Sequence, residues 1–269
     1  MGVFGLCAII ISDMLIRIFL FFLGLCVGSF LNVIISWLEK KRKNIFGRSF
    51  CDYCQKKINW YDLIPVFSFL FLKGKCRYCR KKIKIEYFFV ELATGILFSM
   101  QYAVFSMQGI FYLLIVSLLI ILFVYDLKTY TIPDIIVFLG LGISLAYLIF
   151  NSYILHTTYY ILPFFLAAVV ASGFFAILVL LSHETWLGWG DVKLAILMGL
   201  LLGWPNILLA LFASFLFGAI IGVSLILFKK KTLKSQIPFG PFLVGATIIC
   251  LYLNLSHLLN FWSLWPLSA

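Results

Sequence analysis

The chain has 269 residues, 64% of them hydrophobic and only 12% charged, with a net charge of +11. A soluble domain is nearer half apolar and a quarter charged, so the composition argues against a soluble globular fold and for a polytopic membrane protein. The charge is concentrated: 14 of the 21 lysines and arginines lie between residues 39 and 84. The positive-inside rule explains that segment as a cytoplasmic loop more simply than nucleic-acid binding does, and no nucleic-acid partner is expected.

The first apolar run predicts a helix from about Leu15 to Leu38. No basic residue precedes Arg17 and the apolar character continues to Trp37, too long for the core of a cleaved signal peptide. Residues 1–13 either lengthen this helix on the outer side or lie at the interface. Within the helix, Gly28-Ser29-Phe30-Leu31-Asn32 puts small residues where a neighbouring helix can approach and gives Asn32 an amide to bond across.

Residues 39–84 form the one soluble-looking insert. Cys51-x-x-Cys54 is followed, after 21 intervening residues, by Cys76-x-x-Cys79. Two such pairs at this spacing predict a four-thiolate structural zinc site. A reducing cytoplasm disfavours disulfides, and so short a basic insert needs a staple to fold. Between the pairs, Trp60 to Leu70 is apolar enough to dip into the interface. Cys7, Cys26 and Cys250 lie in apolar runs and read as small core residues.

The later apolar runs are roughly 86–107, 109–125, 133–150, 159–181, 191–203, 206–228 and 240–262, each near the span of a membrane helix except the short 191–203, which is expected to be tilted or shielded by its neighbours. The expected fold is an all-α polytopic membrane protein of about eight transmembrane helices with a small cytoplasmic four-cysteine zinc-binding insert. Its expected parts are an N-terminal transmembrane helix (1–38), the basic zinc-binding domain (39–84) and a seven-helix transmembrane domain (85–269). With the insert in the cytoplasm, the count returns the chain to that side at Asp126-Leu127-Lys128, at Asp191-Val192-Lys193 and at Lys229 to Lys231. No internal repeat is read.

Ten acids are present, six of them at or inside apolar runs: Glu86, Glu91, Asp126, Asp134, Glu184 and Asp191. Asp126 ends one run. Asp191 opens another, after Gly188-Trp189-Gly190, and the count puts both on the same side. An acid at a membrane segment is a functional candidate, although capping the next helix is an equally good account of Asp191 alone. Two converging carboxyls can share a proton, activate water and protonate a leaving amine. Asp134 reads mainly as a helix cap after Pro133, Glu91 mainly as structural, and Lys128 and Lys193 as snorkelling residues or as tuners of the acids. His156, His183 and His257 are too scattered for a nucleophilic triad.

Together these pieces resemble the type IV prepilin peptidases, a bacterial family of membrane aspartic proteases. The resemblance rests on Gly28-Ser29-Phe30-Leu31-Asn32-Val33; on Arg48-Ser49-x-Cys51-x-x-Cys54, Ile64-Pro65-Val66-x-Ser68 and Lys75-Cys76-Arg77-x-Cys79; on Glu91-Leu92-x-Thr94-Gly95; on Asp126 with Ile132-Pro133-Asp134; on Gly188-x-Gly190-Asp191-x-Lys193; and on Ile237-Pro238-Phe239-Gly240-Pro241. Trp37-Leu38-Glu39 stands where the family commonly has Arg-Leu-Pro, and Phe88 where a proline is usual. The resemblance implies that Asp126 and Asp191 are the catalytic pair and that residues 85–269 are the peptidase domain. It implies removal of a short basic leader from prepilins or pseudopilins at the cytoplasmic face of the bacterial inner membrane, followed in many members by methylation of the new N-terminus with S-adenosylmethionine. Membrane lipid is the surrounding partner. The sequence sets neither a cofactor pocket nor an oligomeric state. The alternative is a transporter or channel with a cytoplasmic zinc domain, which the clustering of acids at one face disfavours.

Overall fold

The computed structural model of the chain describes residues 3–40, 49–51, 53–101, 106–154, 161–185, 187–228 and 237–253. Asp52, His156, His257, Arg48, the Lys229 to Lys231 return and the expected last run beyond residue 253 lie outside the described residues, as does the side chain of Cys7. Among the described residues the secondary structure is helical, and the only strand-like pairings are two isolated bridges.

The helices are α1 (Val3–Lys40), α2 (Phe67–Phe71), α3 (Ile85–Ser99), α4 (Met107–Thr129), α5 (Asp134–Ile154), α6 (Leu162–Ser182), α7 (Trp189–Leu202), α8 (Asn206–Leu227) and α9 (Gly240–Leu253). Each of the eight apolar runs contains one of the longer helices. The first begins at Val3, so the apolar N-terminal residues lengthen it. Five helices are long and apolar enough to cross a membrane: α1 from Asp13, then α4, α5, α6 and α8. Of the other three, α3 with 15 residues and α7 with 14 fall short of the roughly 20 residues a span needs, and the described part of α9 has 14.

The chain divides into two compact units, Met1–Ile121 and Leu122–Ala269. In the first, α1 packs along α3. The contact is made possible by glycine: a Cβ on Gly24 would lie 2.7 Å from the Thr94 carbonyl oxygen, and one on Gly28 would lie 2.8 Å from Glu91 Cα. This is the close approach that small residues permit. Asn32 donates from Nδ2 to the Tyr87 carbonyl at 3.0 Å, the cross-helix bond its position suggested.

The insert is tied to α3 at one unusual turn. Val66 has φ 62° and ψ −52°, and the Phe67 N–H donates to the Pro65 carbonyl at 2.6 Å. That is a γ-turn of the rare, strained kind, and a β-branched residue at positive φ adds to its cost. The Glu91 carboxylate accepts the freed Val66 N–H at 2.7 Å. Glu91 therefore has the structural role expected of it. The neighbouring edge is apolar and open, with Trp60 77% and Phe71 85% exposed.

In the second unit α7 is the hub, touching α5, α6, α8 and α9. Nine of its 14 residues are buried, as a helix that is apolar on every face after Lys193 requires. This resolves the short run in favour of shielding by neighbours. Gly199 lets α6 come against it, since a Cβ there would collide with the Ala168 backbone. Near the start of α9, Phe239 packs 5.0 Å from Phe215 of α8 and 6.1 Å from Phe175 of α6, while Phe175 and Phe215 stack at 11°. This cluster fixes the entry into α9.

Candidate active site and metal centre

Asp126 sits in the last turn of α4, which closes when Tyr130, at φ 56°, donates its N–H to the Asp126 carbonyl at 2.9 Å. The side chain is only 5% exposed. Its partner comes from α9. Phe239 accepts the first helical bonds there, from Phe242 and Leu243. Gly240 is thus the first helical residue, and its N–H has no carbonyl within the helix to bind. That N–H donates to the Asp126 carboxylate. A Cβ on Gly240 would strike Oδ2 of Asp126, so the approach requires glycine.

Asp191 lies in the first turn of α7, three residues after the cap residue Gly188. Its Oδ2 accepts the Gly188 N–H at 3.3 Å, the backward half of a capping arrangement. The capping account of Asp191 therefore holds, but it occupies only one oxygen. Gly190 is where a close approach occurs: a Cβ there would lie 3.2 Å from Ile132, whose side chain also packs 3.5 Å from the corresponding position on Gly240. Ile132 is thus wedged between Gly190, which precedes Asp191, and Gly240, whose N–H serves Asp126. The two carboxyls are near enough for the charge on Asp126 to act on Asp191.

Asp134, which opens α5, is held by Lys193 Nζ at 2.7 Å. Lys193 consequently pairs with Asp134, not with the aspartate two residues before it. Trp189 Nε1 donates to Glu184 at 2.7 Å and braces the approach to α7. The residue that sequence reasoning left without a role is Gly240. Its motif was visible, and a glycine at the start of a helix is the signal that its N–H is accessible.

In the first unit Cys51, Cys54, Cys76 and Cys79 bring their Sγ atoms within 4.8 Å of one another. Cys51 and Cys79 are 3.8 Å apart. Zinc–sulfur bonds of about 2.3 Å in a tetrahedron put neighbouring sulfurs about 3.8 Å apart, so the donor set fits the metal. The Lys81 backbone N–H favours the Cys79 thiolate. Desolvation and the thiols of Cys76, Cys51 and Cys54 outweigh it and push the Cys79 thiol up to about 11.

The cysteine pairs belong to two copies of one knuckle. Cys51-Asp52-Tyr53-Cys54-Gln55-Lys56-Lys57-Ile58 and Cys76-Arg77-Tyr78-Cys79-Arg80-Lys81-Lys82-Ile83 share six of eight residues. In each, the residue after the second cysteine is left-handed (Gln55 φ 56°, Arg80 φ 54°) and returns its N–H to the first cysteine at 2.9 Å. Matching bridges pair Phe50 with Lys57 and Lys75 with Lys82. The copies exchange partners: Lys81 Nζ lies 4.6 Å from the Tyr53 ring and Lys56 Nζ lies 5.2 Å from the Tyr78 ring. No internal repeat is expected from the apolar runs, yet this eight-residue one is legible in the insert.

Comparison with known proteins agrees with this architecture. The profile of the bacterial peptidase A24 N-terminal domain matches residues 22–105, and that of the type IV leader peptidase family matches residues 113–223. Curated relatives include the prepilin leader peptidase/N-methyltransferase of Bacillus subtilis, 31% identical over 90% of this chain and 96% of the relative. The protein of the same name from Klebsiella pneumoniae is 38% identical over 69% and 85%, and that from Myxococcus xanthus 34% over 79% and 64%. The chain thus spans a little under two thirds of the Myxococcus relative. No solved structure matches it. With both profiles matched in order and a relative covered almost end to end, the chain belongs to the type IV leader peptidase family.

Proposed function

We propose that this enzyme removes the basic leader from prepilin-like or pseudopilin-like substrates, with Asp126 and Asp191 as the catalytic pair. The observation that carries the reading is that Asp126 and Asp191 each take a backbone N–H from a glycine, while the one Ile132 side chain packs against both Gly240, which serves Asp126, and Gly190, which precedes Asp191. One carboxylate draws a proton from water as it attacks the scissile carbonyl; the other, protonated, hydrogen-bonds the carbonyl oxygen and later gives its proton to the leaving amine. No side-chain nucleophile is required. Asp134 and Lys193 serve as a brace beside the pair.

The names of the relatives support a second step, methylation of the newly exposed amine, for which S-adenosylmethionine supplies an electrophilic methyl group when bound. The four cysteines hold structural zinc, which staples the insert. We place the protein in the bacterial inner membrane with the insert and aspartates toward the cytoplasm, since the basic insert obeys the positive-inside rule there. Its exposed Trp60 to Phe71 edge then meets lipid.

The test is cleavage of a purified substrate with a basic leader, in detergent or liposomes. Asp126→Asn and Asp191→Asn should each remove activity while the protein still accumulates in the membrane. Full cleavage by either variant would overturn the assignment.

A further inference from the structure

The register of α1 on α3 gives a depth scale for the first unit. Asn32 meets Tyr87, Gly28 meets Glu91 and Gly24 meets Thr94. Between Arg17 and Glu39, α1 carries no charge for 21 residues. That is about 30 Å of helix, the thickness of a hydrocarbon core. On α3 the last cation is Lys84, and Glu91 follows it by seven residues. Glu91 therefore stands about 10 Å inside the cationic edge, at 1.5 Å of rise per residue.

The short helix α2 sits at that depth. Val66, just before it, bonds to Glu91 at 2.7 Å. The Phe69 ring lies 5.3 Å from that of Phe88, and Phe67 stacks on Phe22 at 6.4 Å and 14°. Phe22 is five residues from Arg17 and 17 from Glu39, so it belongs to the half of the uncharged stretch farther from the insert's lysines. The tip of the insert thus lies alongside the apolar lengths of α1 and α3, well past the level of the lysines.

Three properties of this tip suit hydrocarbon. Its outward side is apolar, with Leu70 59% and Phe71 85% exposed. Trp60 to Phe71 contains a single charge, Asp62, whose side chain is 5% exposed and bonded to Arg77 at 2.6 Å. Lys56 and Lys57 precede the stretch and Lys73 and Lys75 follow it, where long stems can carry ammonium groups back to lipid phosphates. The backbone is also closed on itself: the N–H groups of Phe67, Ser68, Leu70 and Leu72 all donate to nearby carbonyls, and that of Val66 to Glu91. Backbone away from water must be satisfied in this way.

We propose that Pro65 to Phe71 is a re-entrant wedge, inserted among the phospholipid acyl chains of the leaflet that the insert faces. The proposal rests on the membrane placement given above and goes beyond contact at the surface. The Val66 turn then reverses the chain inside the bilayer, and Glu91 supplies the acceptor that water would supply outside it. Leu70 and Phe71 touch acyl chains, and the flanking lysines hold the headgroups.

The experiment uses the purified, zinc-loaded full chain in vesicles of phosphatidylethanolamine and phosphatidylglycerol with tritiated acyl chains. A photoreactive p-benzoylphenylalanine replaces Phe71 in one protein, Tyr53 of the first knuckle in a second and Phe19 of α1 in a third. Tyr53 and Phe19 are exposed to similar degrees, 60% and 59%. Irradiation should attach lipid at positions 71 and 19 several-fold more than at position 53, with zinc content unchanged in all three. Lipid labelling at position 19 but not at 71 would overturn the wedge and leave the membrane placement standing. Labelling at neither would sink the placement and the wedge with it. Cross-links from position 71 to the second unit, to another copy of the chain or to an added substrate would show that protein covers this face, and would also overturn the proposal.

Discussion

Gly240 gives its backbone N–H to the carboxylate of Asp126 and leaves no room between them for a side chain. The helix that starts at Gly240 therefore delivers a donor to an acid on another helix, and only the smallest residue allows it. Gly240→Ala should lower kcat/KM for leader cleavage by about a hundredfold, because displacement of a catalytic group by about an ångström costs that much. The variant should still extract from membranes as folded protein. Cleavage at the parental rate would show that the Gly240 contact is dispensable.

Lys193 follows the proposed catalytic Asp191 by two positions, yet its ammonium is bonded to Asp134. Both partners are substantially exposed, so the pair should contribute at most about 1 kcal/mol. Lys193→Met should retain cleavage within a few-fold and show a small loss of thermal stability that shrinks as salt rises. A loss as deep as that of Asp191→Asn would reveal a direct role in the reaction.

The thiol cluster predicts both a metal and a pH dependence. Cys79 sits well above the ordinary thiol range at about 11, so binding zinc must displace its proton. The sign follows directly: lower pH supplies the competing proton, and apparent affinity falls as pH falls. Between about pH 8 and pH 6 it should drop by roughly tenfold per unit for each proton displaced. Elemental analysis should find about one zinc per chain, and Cys79→Ser should lose most of it. A flat affinity across this interval would exclude thiolate ligation.

Helix packing in the second unit supplies a contrast between two glycines. Gly199 has the Ala168 backbone directly against it, whereas a Cβ on Gly173 would meet nothing within 4 Å. Gly199→Ala should destabilise the protein by about 1–3 kcal/mol through overpacking. Gly173→Ala should be neutral or stabilising by up to about 1 kcal/mol, from helix propensity alone. Thermal unfolding in detergent, followed for both variants, should separate them in that order.

The helices were legible because apolar runs near membrane length leave little choice of structure. The four cysteines were legible because ligand spacing is local. Asp126 and Asp191 could be picked out by position, one ending a run and one following paired glycines, but their mutual approach is a long-range fact that no local pattern contains. Lys193 was expected either to snorkel or to tune the acids; the partner it found starts a helix 59 positions away. Length was the weaker guide. Residues 86–107 read as a span, but the described helix there, α3, has 15 residues, and 191–203, expected to be short, holds α7 at 14; the run 240–262 continues past the described residues. Hydropathy records what a segment avoids, and α7 avoids water by being wrapped in other helices.

The traded tyrosines and lysines of the two knuckles carry a last implication. Neither hairpin is finished by its own residues, for each lends its ring to the ammonium of the other and brings half of the sulfurs. The insert is in effect a miniature two-fold dimer strung on one polypeptide, whose halves must set and loosen together. The stretch between the copies escapes that symmetry. There the chain keeps its idiosyncratic parts: the acid gripped by Arg77, the contorted Val66 and the greasy rim from Trp60 to Phe71.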